Sequence, residues 1–231
     1  MSDVAAHDAP RRQRNPRGQG HRLRDEILAG ATTILEHSGD EHAVTLRAVA
    51  RRIGITAPSI TTHFPDPAAI IDAVVAEQLG GLAERLRSAA HSTADPVDAL
   101  QAAWAAYLDF GRANPAHYRV IFERRFLTVW DDQQRPMTET APLFDATTEM
   151  MIGLLQTCID TATSTSADAF ADSVAIWYYT HGLVALPATI TSFAWPDAHT
   201  HLATGITNLA HLTPPARTRT PKRRPPNPAR R

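Results

Sequence analysis

Residues 57–63 place small hydroxyl side chains on the outward side of a short amphipathic segment. Ile60 and Phe64 recur at helical spacing, so we expect them to face a core. The side chains left outward are Ala57, Pro58, Ser59, Thr61, Thr62 and His63. Hydroxyl groups donate to or accept from base edges, and the methyl group of threonine can contact the methyl group of thymine. Such a surface suits a helix that lies deep in the major groove of DNA.

The residues before this segment have the spacing of a helix-turn-helix. Ala50 is small where two helices would cross closely, Gly54 can adopt the positive φ of a tight turn, and Ile55 would fill the angle between the helices. Thr56 has the residue type of a helix cap, and Pro58 suits the first turn of a helix. An ordinary helical hairpin is the alternative to a DNA-binding motif.

Catalysis is the competing class of function, and its candidate residues do not combine into a known type of site. The candidates are His117, Cys158, His181, His199 and His201. On a helix, His199 and His201 point to nearly opposite faces, so they cannot share one metal ion. Neither a Gly-rich phosphate loop nor the HExxH and G-x-S-x-G motifs occur. The sequence therefore predicts that the protein is not an enzyme and has neither a metal site nor a cofactor.

Length, charge and cysteine content bound the class of protein further. The 231 residues have a net charge of −1, yet arginines concentrate at both ends of the chain. Because both ends lack periodic apolar positions, we expect residues 1–20 and 214–231 to be disordered basic arms. No apolar run reaches membrane-spanning length, so we expect a cytoplasmic protein without membrane contact. Cys158 lies in an apolar stretch and is expected to be a buried thiol.

Between the arms, apolar residues recur at intervals of three and four, which predicts an all-α fold of about nine helices. We expect a three-helix, DNA-binding head over residues 21–67 and a helical ligand-binding and dimerisation domain over residues 68–213. Thr45 is expected to cap the second helix of the head. Asp66 followed by Pro67 has the residue types of a cap and a first helical residue, so the long helix that leaves the head is expected to begin there.

Residues 45–74, TLRAVARRIGITAPSITTHFPDPAAIIDAV, resemble the DNA-binding head of the TetR family of one-component bacterial regulators. The resemblance implies three helices followed by a long connecting helix, with double-stranded DNA as the partner. It also implies that Thr45 and Thr56 bind phosphates at helix N-termini and that Arg47 reaches a base or a phosphate. Residues 57–63 would then read the groove.

Two positions differ from the usual pattern of that family. The family commonly has Tyr where this chain has Thr61, and Lys where it has Pro67, and both usual residues contact phosphate. We expect the arginines of residues 1–20, together with Arg51 or Arg52, to compensate by reaching the DNA backbone or the minor groove. Alternatively, the chain is a TetR-fold protein that binds a ligand or a partner and has little specific affinity for DNA.

The segments NPAHYRVIFERR and IWYYTHGLVAL resemble the C-terminal domain of the Trp-His-Gly subfamily of TetR regulators. In this family the last two helices pair across a two-fold axis, which implies a homodimer. A near-palindromic operator follows, with the two recognition helices one DNA turn apart, ~34 Å. The residues expected at the dimer interface are Tyr178, His181, Ala185, Leu202, Ile206 and Leu209.

Aromatic and methionine side chains recur through the second domain, where they can line an apolar cavity or simply fill the core. The expected lining residues are Trp104, Tyr107, Phe110, Tyr118, Phe122, Phe144, Met151 and Trp177, with Trp130 and Met150 as further candidates. An apolar or aromatic small molecule in such a cavity would favour a dimer shape whose heads no longer match successive grooves. The sequence therefore predicts a transcriptional repressor that such an effector releases from DNA.

Overall fold

The computed structural model describes residues 20–122 and 140–213, and this part of the chain is helical. Its only β pairing is an isolated antiparallel bridge between Ser164 and Leu212. The expected all-α fold of about nine helices is confirmed. Besides a short 3-10 helix, Glu41–Ala43, the helices are α1 Gly20–Ser38, α2 Leu46–Ile53, α3 Ala57–Thr61, α4 Pro67–Ala90, α5 Pro96–Ala113, α6 Pro115–Phe122, α7 Thr140–Asp160, α8 Ala169–Thr189 and α9 Ala198–Leu209.

Side-chain caps fix the beginnings of α2 and α4. Thr45 Oγ1 accepts a hydrogen bond from the backbone N–H of Ala48 at 3.1 Å. Asp66 Oδ1 accepts from the backbone N–H of Ala69 at 2.9 Å, directly before Pro67. These bonds satisfy N–H groups that have no partner inside the helix, and proline in the first turn has no N–H to satisfy. Both predicted helix beginnings are therefore confirmed.

Helices α1 and α2 cross closely because α1 has no side chain at Gly30. A Cβ atom built on Gly30 would lie 2.6 Å from Ile53 Cγ2, well inside van der Waals contact. After α2 the chain turns at Gly54, whose φ of +71° lies in the left-handed region that favours glycine. This is the positive φ that the sequence predicted, and it sets the angle at which α3 leaves α2.

Two hydrophobic cores meet along α4. The core of the head combines apolar residues of α1, α2 and α3 with the first part of α4, as far as Val75. The second core begins at Leu79 and includes residues of every later helix. The expected domain boundary after residue 67 coincides with the beginning of α4, but the first two turns of that helix pack into the head. The long helix is thus a shared wall of both cores.

The end of the described chain is tied back to the connection between α7 and α8. Ser164 Oγ donates to the backbone oxygen of Ala210 at 2.6 Å, and Thr165 N donates to the backbone oxygen of His211 at 3.0 Å. Helix α9 also packs closely on α8, since a Cβ atom at Gly205 would overlap the ring of Tyr179. In the described ranges, no helix is both long enough and apolar enough to cross a membrane.

Candidate functional site

The helix-turn-helix surface is formed by α2, the turn at Gly54 and α3. Ile60 and Phe64 are buried in the core of the head, as the sequence predicted. The outward side chains of the segment are exposed or partly exposed: Ala57, Pro58, Ser59, Thr61, Thr62 and His63. Helix α3 is shorter than residues 57–63, because it ends at Thr61 and Thr62 occupies the C-cap position. The structure therefore brings the predicted groove-facing residues together on one surface.

Four hydroxyl groups of this surface make local hydrogen bonds. Thr61 Oγ1 donates to the backbone oxygen of Pro58, and Thr62 Oγ1 donates to that of Ser59, both at 2.9 Å. Their remaining capacity is to accept, so they match donors such as the amino groups of adenine and cytosine. Thr56 lies at the N-cap position, but its hydroxyl bonds Ser59 Oγ at 2.9 Å and caps no backbone N–H. The prediction that the Thr56 side chain caps α3 is therefore wrong, although Thr56 does occupy the predicted N-cap position.

The charge around this surface is positive. Residues 42–65 contain three arginines and no aspartate or glutamate. Arg47, Arg51 and Arg52 are exposed, and none of them forms an ion pair with another described residue. Arg24 from α1 lies over the Phe64 ring, with its guanidinium carbon 5.2 Å from the ring centroid. Exposed arginines beside small hydroxyl groups have the charge and size that suit contact with a phosphate backbone.

A second candidate site is an apolar cavity, partly open to solvent, that is lined by residues of α4, α5, α6, α7 and α8. No charged side chain of the described residues lines it. Its lining residues are Leu79, Leu82, Leu86, Trp104, Tyr107, Phe122, Phe144, Thr147, Thr148, Met151, Ile152, Ser173, Val174 and Trp177. A cavity of this composition favours an apolar molecule, since the hydrophobic effect rewards the removal of apolar surface from water.

Most of the predicted pocket residues line this cavity. They are Trp104, Tyr107, Phe122, Phe144, Met151 and Trp177. Phe110 and Tyr118 do not: Phe110 is buried beneath the guanidinium of Arg85, and Tyr118 is buried behind Tyr107. Met150 packs against the second core without lining the cavity, and Trp130 lies outside the described residues.

The α4 wall of the cavity was missed, although its apolar stripe was visible in the sequence. Leu79, Leu82 and Leu86 line the cavity from the half of α4 that leaves the head. In the sequence these leucines mark a connecting helix, and helical spacing alone does not distinguish residues that line a cavity from residues that fill a core. The three-dimensional arrangement supplies that distinction.

Behind the cavity, hydrogen bonds connect three helices. Trp177 Nε1 of α8 donates to the hydroxyl oxygen of Tyr107 at 2.9 Å, and the hydroxyl groups of Tyr107 and Tyr118 are 3.0 Å apart. The Tyr118 hydroxyl also bonds His181 Nδ1, which returns the chain of contacts to α8. Burial raises the pKa of Tyr107 to about 12, against smaller opposing effects of these hydrogen bonds. The phenol is therefore neutral at physiological pH.

Helix α6 links this network to the head. His117 Nε2 lies 2.6 Å from Glu36 Oε1 on α1, and both side chains are partly buried. Tyr118, the next residue, belongs to the network behind the cavity. Adjacent residues of one short helix therefore contact the DNA-binding head and the wall of the cavity. Neither contact was predicted from the sequence, where His117 was considered only as a catalytic candidate.

The six residues expected at a dimer interface divide into exposed and buried groups. Tyr178 is 73% exposed, and Ala185 is partly exposed on the same helix. Leu202 and Ile206 are only 2% and 1% exposed because they pack into the second core, against which Leu209 also packs. His181 is partly buried and bonded to Tyr118. Large exposed apolar residues that the sequence reading missed are Phe170, Leu186, Ile190, Phe193 and Trp195.

Two of the remaining catalytic candidates, Cys158 and His199, make contacts with other residues of the fold. Cys158 is fully buried and its Sγ donates to the backbone oxygen of Pro96 at 3.3 Å, so the expected buried thiol is confirmed. Burial raises the pKa of the Cys158 thiol, which keeps it protonated and unreactive. His199 Nε2 lies 2.9 Å from Asp109 Oδ1. In residues 20–122 and 140–213, no group of three or more His, Cys, Asp or Glu side chains could hold a metal ion.

Comparison with known proteins relates the second domain to a known family. The family model of the tetracyclin repressor-like C-terminal domain matches residues 100–206. The HTH-type transcriptional activator FasR of Mycolicibacterium smegmatis is 30% identical over 136 residues, which cover 55% of this chain and 62% of that relative. The chain thus spans less than two thirds of that relative.

Solved structures have the same fold at low sequence identity. The fatty acid degradation regulator FadR from Bacillus halodurans superposes with a TM-score of 0.65 at 12% identity, covering 86% of this chain and 97% of FadR. A regulatory protein of the TetR family from Rhodococcus RHA1 gives a TM-score of 0.63 at 16% identity, covering 81% of this chain and 94% of that protein. Residues 100–206 are thus similar to the tetracyclin repressor-like C-terminal domain, and the chain has the fold of a TetR-family regulatory protein.

Proposed function

We propose that this protein is a homodimeric transcriptional regulator whose affinity for DNA depends on a small apolar molecule bound in the cavity of its second domain. One observation carries the proposal: a single helix, α4, forms part of the core of the head and part of the cavity wall. Ile70 and Val74 pack in the head, whereas Leu79, Leu82 and Leu86 line the cavity. A ligand that moves the second half of α4 therefore acts on the orientation of the head.

The surface of α2 and α3 is the proposed DNA contact. Thr45 at the N-terminus of α2 and Arg47 on its first turn would hold phosphates, while Ser59, Thr61 and Thr62 would contact base edges. The exposed side chains of Arg47, Arg51 and Arg52 support this assignment. Few bidentate contacts are available from such side chains, so sequence preference would depend partly on the shape of the DNA.

The proposed dimer interface lies on the outer face of α8 and the connection that follows it. Tyr178, Leu186 and Ile190 are exposed there, and Phe193 and Trp195 stack with their ring centroids 4.6 Å apart. Exposed apolar surface of this kind is unusual on a protein that stays monomeric. A two-fold pair of these faces would place both heads on one side of the dimer, as a near-palindromic operator requires.

We propose repression that the ligand relieves, because a ligand that spreads the heads apart lowers the affinity of the dimer for DNA. By the reciprocity of linked equilibria, DNA must then lower the affinity for the ligand to the same extent. Activation is the second candidate, since the relative from Mycolicibacterium smegmatis is named a transcriptional activator. A promoter fused to a reporter gene distinguishes the two, because deletion of a repressor raises expression and deletion of an activator lowers it.

The first experiment is selection of bound duplexes from a random DNA pool by the purified full chain, followed by titration of the selected duplex at several salt concentrations. We expect an enriched palindrome and an affinity that falls steeply with salt. In Arg47→Ala, the slope of log K against log salt should decrease by about two, one phosphate contact for each protomer. Arg119→Ala, which removes an exposed arginine from α6, is the matched control and should leave the slope unchanged.

The alternative function has a specific observation in its favour. Thr61 and Pro67 stand where the family commonly has Tyr and Lys, two phosphate contacts. A protein that enriches no duplex and binds DNA weakly, with equal salt dependence in the wild type and in Arg47→Ala, would be a ligand-binding or partner-binding member of the family. That result would refute the proposed DNA-binding function.

A further inference from the structure

Two polar atoms in the wall of the cavity lack hydrogen-bond partners. The indole Nε1 of Trp104 on α5 and the hydroxyl oxygen of Ser173 on α8 are buried and have no partner among the described residues. The two side chains are only 3% and 4% exposed, and both line the apolar cavity. A buried polar group without a partner destabilises the folded state, so such groups are rare unless something else satisfies them.

The other polar side chains of the wall have partners. Thr147 Oγ1 donates to the backbone oxygen of Leu143 at 2.6 Å, and Thr148 Oγ1 donates to that of Phe144 at 2.9 Å. Trp177 Nε1 donates to the Tyr107 hydroxyl. Among the polar side-chain groups of the wall, only Trp104 Nε1 and Ser173 Oγ have no hydrogen bond to a described residue.

The chemistry of these two groups restricts what can satisfy them. An indole N–H only donates, and a serine hydroxyl can donate as well as accept. An acceptor oxygen, such as a carbonyl oxygen, can accept from the indole N–H or from the serine hydroxyl. A carboxylate would also accept, but no cation of the described residues lines the cavity to offset the cost of burying its charge.

We propose that Trp104 and Ser173 form a polar subsite for an uncharged acceptor oxygen, so the effector is an apolar molecule that carries a ketone, ester or amide carbonyl. This inference rests on the proposed function for calling the ligand an effector, and it narrows that ligand from any apolar molecule to a neutral carbonyl compound. The apolar wall binds the body of the molecule, and the two donors set its orientation and discriminate against pure hydrocarbons.

Three probes of nearly equal size test the subsite. Acetophenone carries the carbonyl, α-methylstyrene replaces its oxygen with a methylene group, and benzoate carries a charge. Their dissociation constants are measured by ligand-detected NMR titration of the full-length protein without DNA. Because α-methylstyrene is the more hydrophobic probe, the informative quantity is the change in each affinity caused by a substitution, not the ratio in the wild type.

Ser173→Ala and Trp104→Phe each remove one donor and keep most of the apolar contact. We expect each substitution to weaken acetophenone binding roughly three- to tenfold and to leave α-methylstyrene binding unchanged or stronger. Thr148→Val is the matched control, since the hydroxyl that it removes is already bonded within α7. It should affect both probes equally.

Equal effects of Ser173→Ala on acetophenone and α-methylstyrene, or no effect on either, would overturn the subsite. Benzoate that binds more tightly than acetophenone and depends on the same two residues would overturn the neutral class of ligand. Ser173→Ala should fold at least as stably as the wild type, because it removes an unsatisfied hydroxyl and raises helix propensity. Since the titration contains no DNA, its failure leaves the proposed DNA binding unaffected, and failure to bind DNA leaves the titration interpretable.

Discussion

Tyr107 contributes both a wall to the cavity and a hydroxyl to the network behind it, and its ionisation provides a test of that environment. Its pKa is about 12 in the folded chain, whereas an exposed tyrosine in the unfolded chain has a pKa of ~10. As the pH rises, the unfolded state therefore loses this proton first. The stability from the neutral buried phenol is complete below pH ~10 and is lost as the pH rises towards 12.

We predict that the free energy of unfolding of the wild type falls by roughly 2–3 kcal/mol more than that of Tyr107→Phe between pH 10 and 12. Urea unfolding followed by circular dichroism from pH 8 to 12 measures both proteins. Between pH 8 and 9 the difference between the two proteins should be constant, which provides the internal control. Parallel curves up to pH 12 would show that Tyr107 is not held neutral by burial.

For single residues, the sequence predicted the roles that depend only on near neighbours in the chain. Thr45, Gly54 and the pair Asp66–Pro67 have the predicted conformations because a cap or a tight turn involves residues only a few positions apart. The unsatisfied Ser173 could not be predicted in the same way. A serine in the middle of a helix commonly bonds a carbonyl one turn back, and only the packed structure shows that this one does not.

Among the helices, the crossing of α5 with α6 and α8 depends on Gly111. A Cβ atom at Gly111 would lie 2.6 Å from Val184 Cγ1 on α8 and 2.9 Å from Tyr118 Cδ2 on α6. Neither neighbour can move without disturbing the core, since both side chains are buried. By contrast, a Cβ atom at Gly153 of α7 meets no atom within 4 Å.

We predict opposite effects of one substitution at these two sites. Gly111→Ala should lower the free energy of unfolding by roughly 1–3 kcal/mol because the core must shift to admit the methyl group. Gly153→Ala should raise it by roughly 0.5–1 kcal/mol, because alanine restricts the unfolded chain more than glycine does. Urea unfolding of both variants measures these two changes in the free energy of unfolding. Stabilisation by Gly111→Ala would mean that α5 and α8 are less closely packed than described.

For the helices, apolar periodicity predicts helical structure but not what packs against each apolar face. It predicted the helical fold correctly, because helices that pack into a core bury an apolar face. It assigned Leu202 and Ile206 to an interface between protomers, and the structure places both inside the second core. An apolar stripe on a helix indicates that the stripe is buried. It does not indicate whether residues of the same chain or of a second chain bury it.

For the whole molecule, the proposed dimer depends on the exposed face of α8. Tyr178→Glu places a carboxylate at its most exposed apolar position, and burying that charge against a second copy is costly. We predict that the mass in solution, measured by light scattering, falls from twice 25.2 kDa to 25.2 kDa. Ser88→Glu, at an exposed position of α4, should leave the mass unchanged. A Tyr178→Glu protein that remains dimeric would place the interface elsewhere.

Helix α6 provides a second connection between the cavity and the head. His117 and Tyr118 are adjacent on α6, and they contact Glu36 on α1 and Tyr107 at the cavity, respectively. If the proposed ligand shifts α6, the contact between His117 and Glu36 would transmit that shift to the head, in parallel with α4. Removal of that contact should weaken the coupling without altering either site.

We predict that Glu36→Ala and His117→Ala each reduce the factor by which a cavity ligand changes operator affinity by roughly three- to tenfold, in line with a coupling of about 0.5–2 kcal/mol. Operator affinity without the ligand and ligand affinity without DNA should stay within about threefold of the wild type, because neither residue lies in either site. The double variant should lose no more coupling than each single variant, since both substitutions remove one contact. Additive losses would instead assign the two residues to separate routes and leave α4 as the main connection between cavity and head.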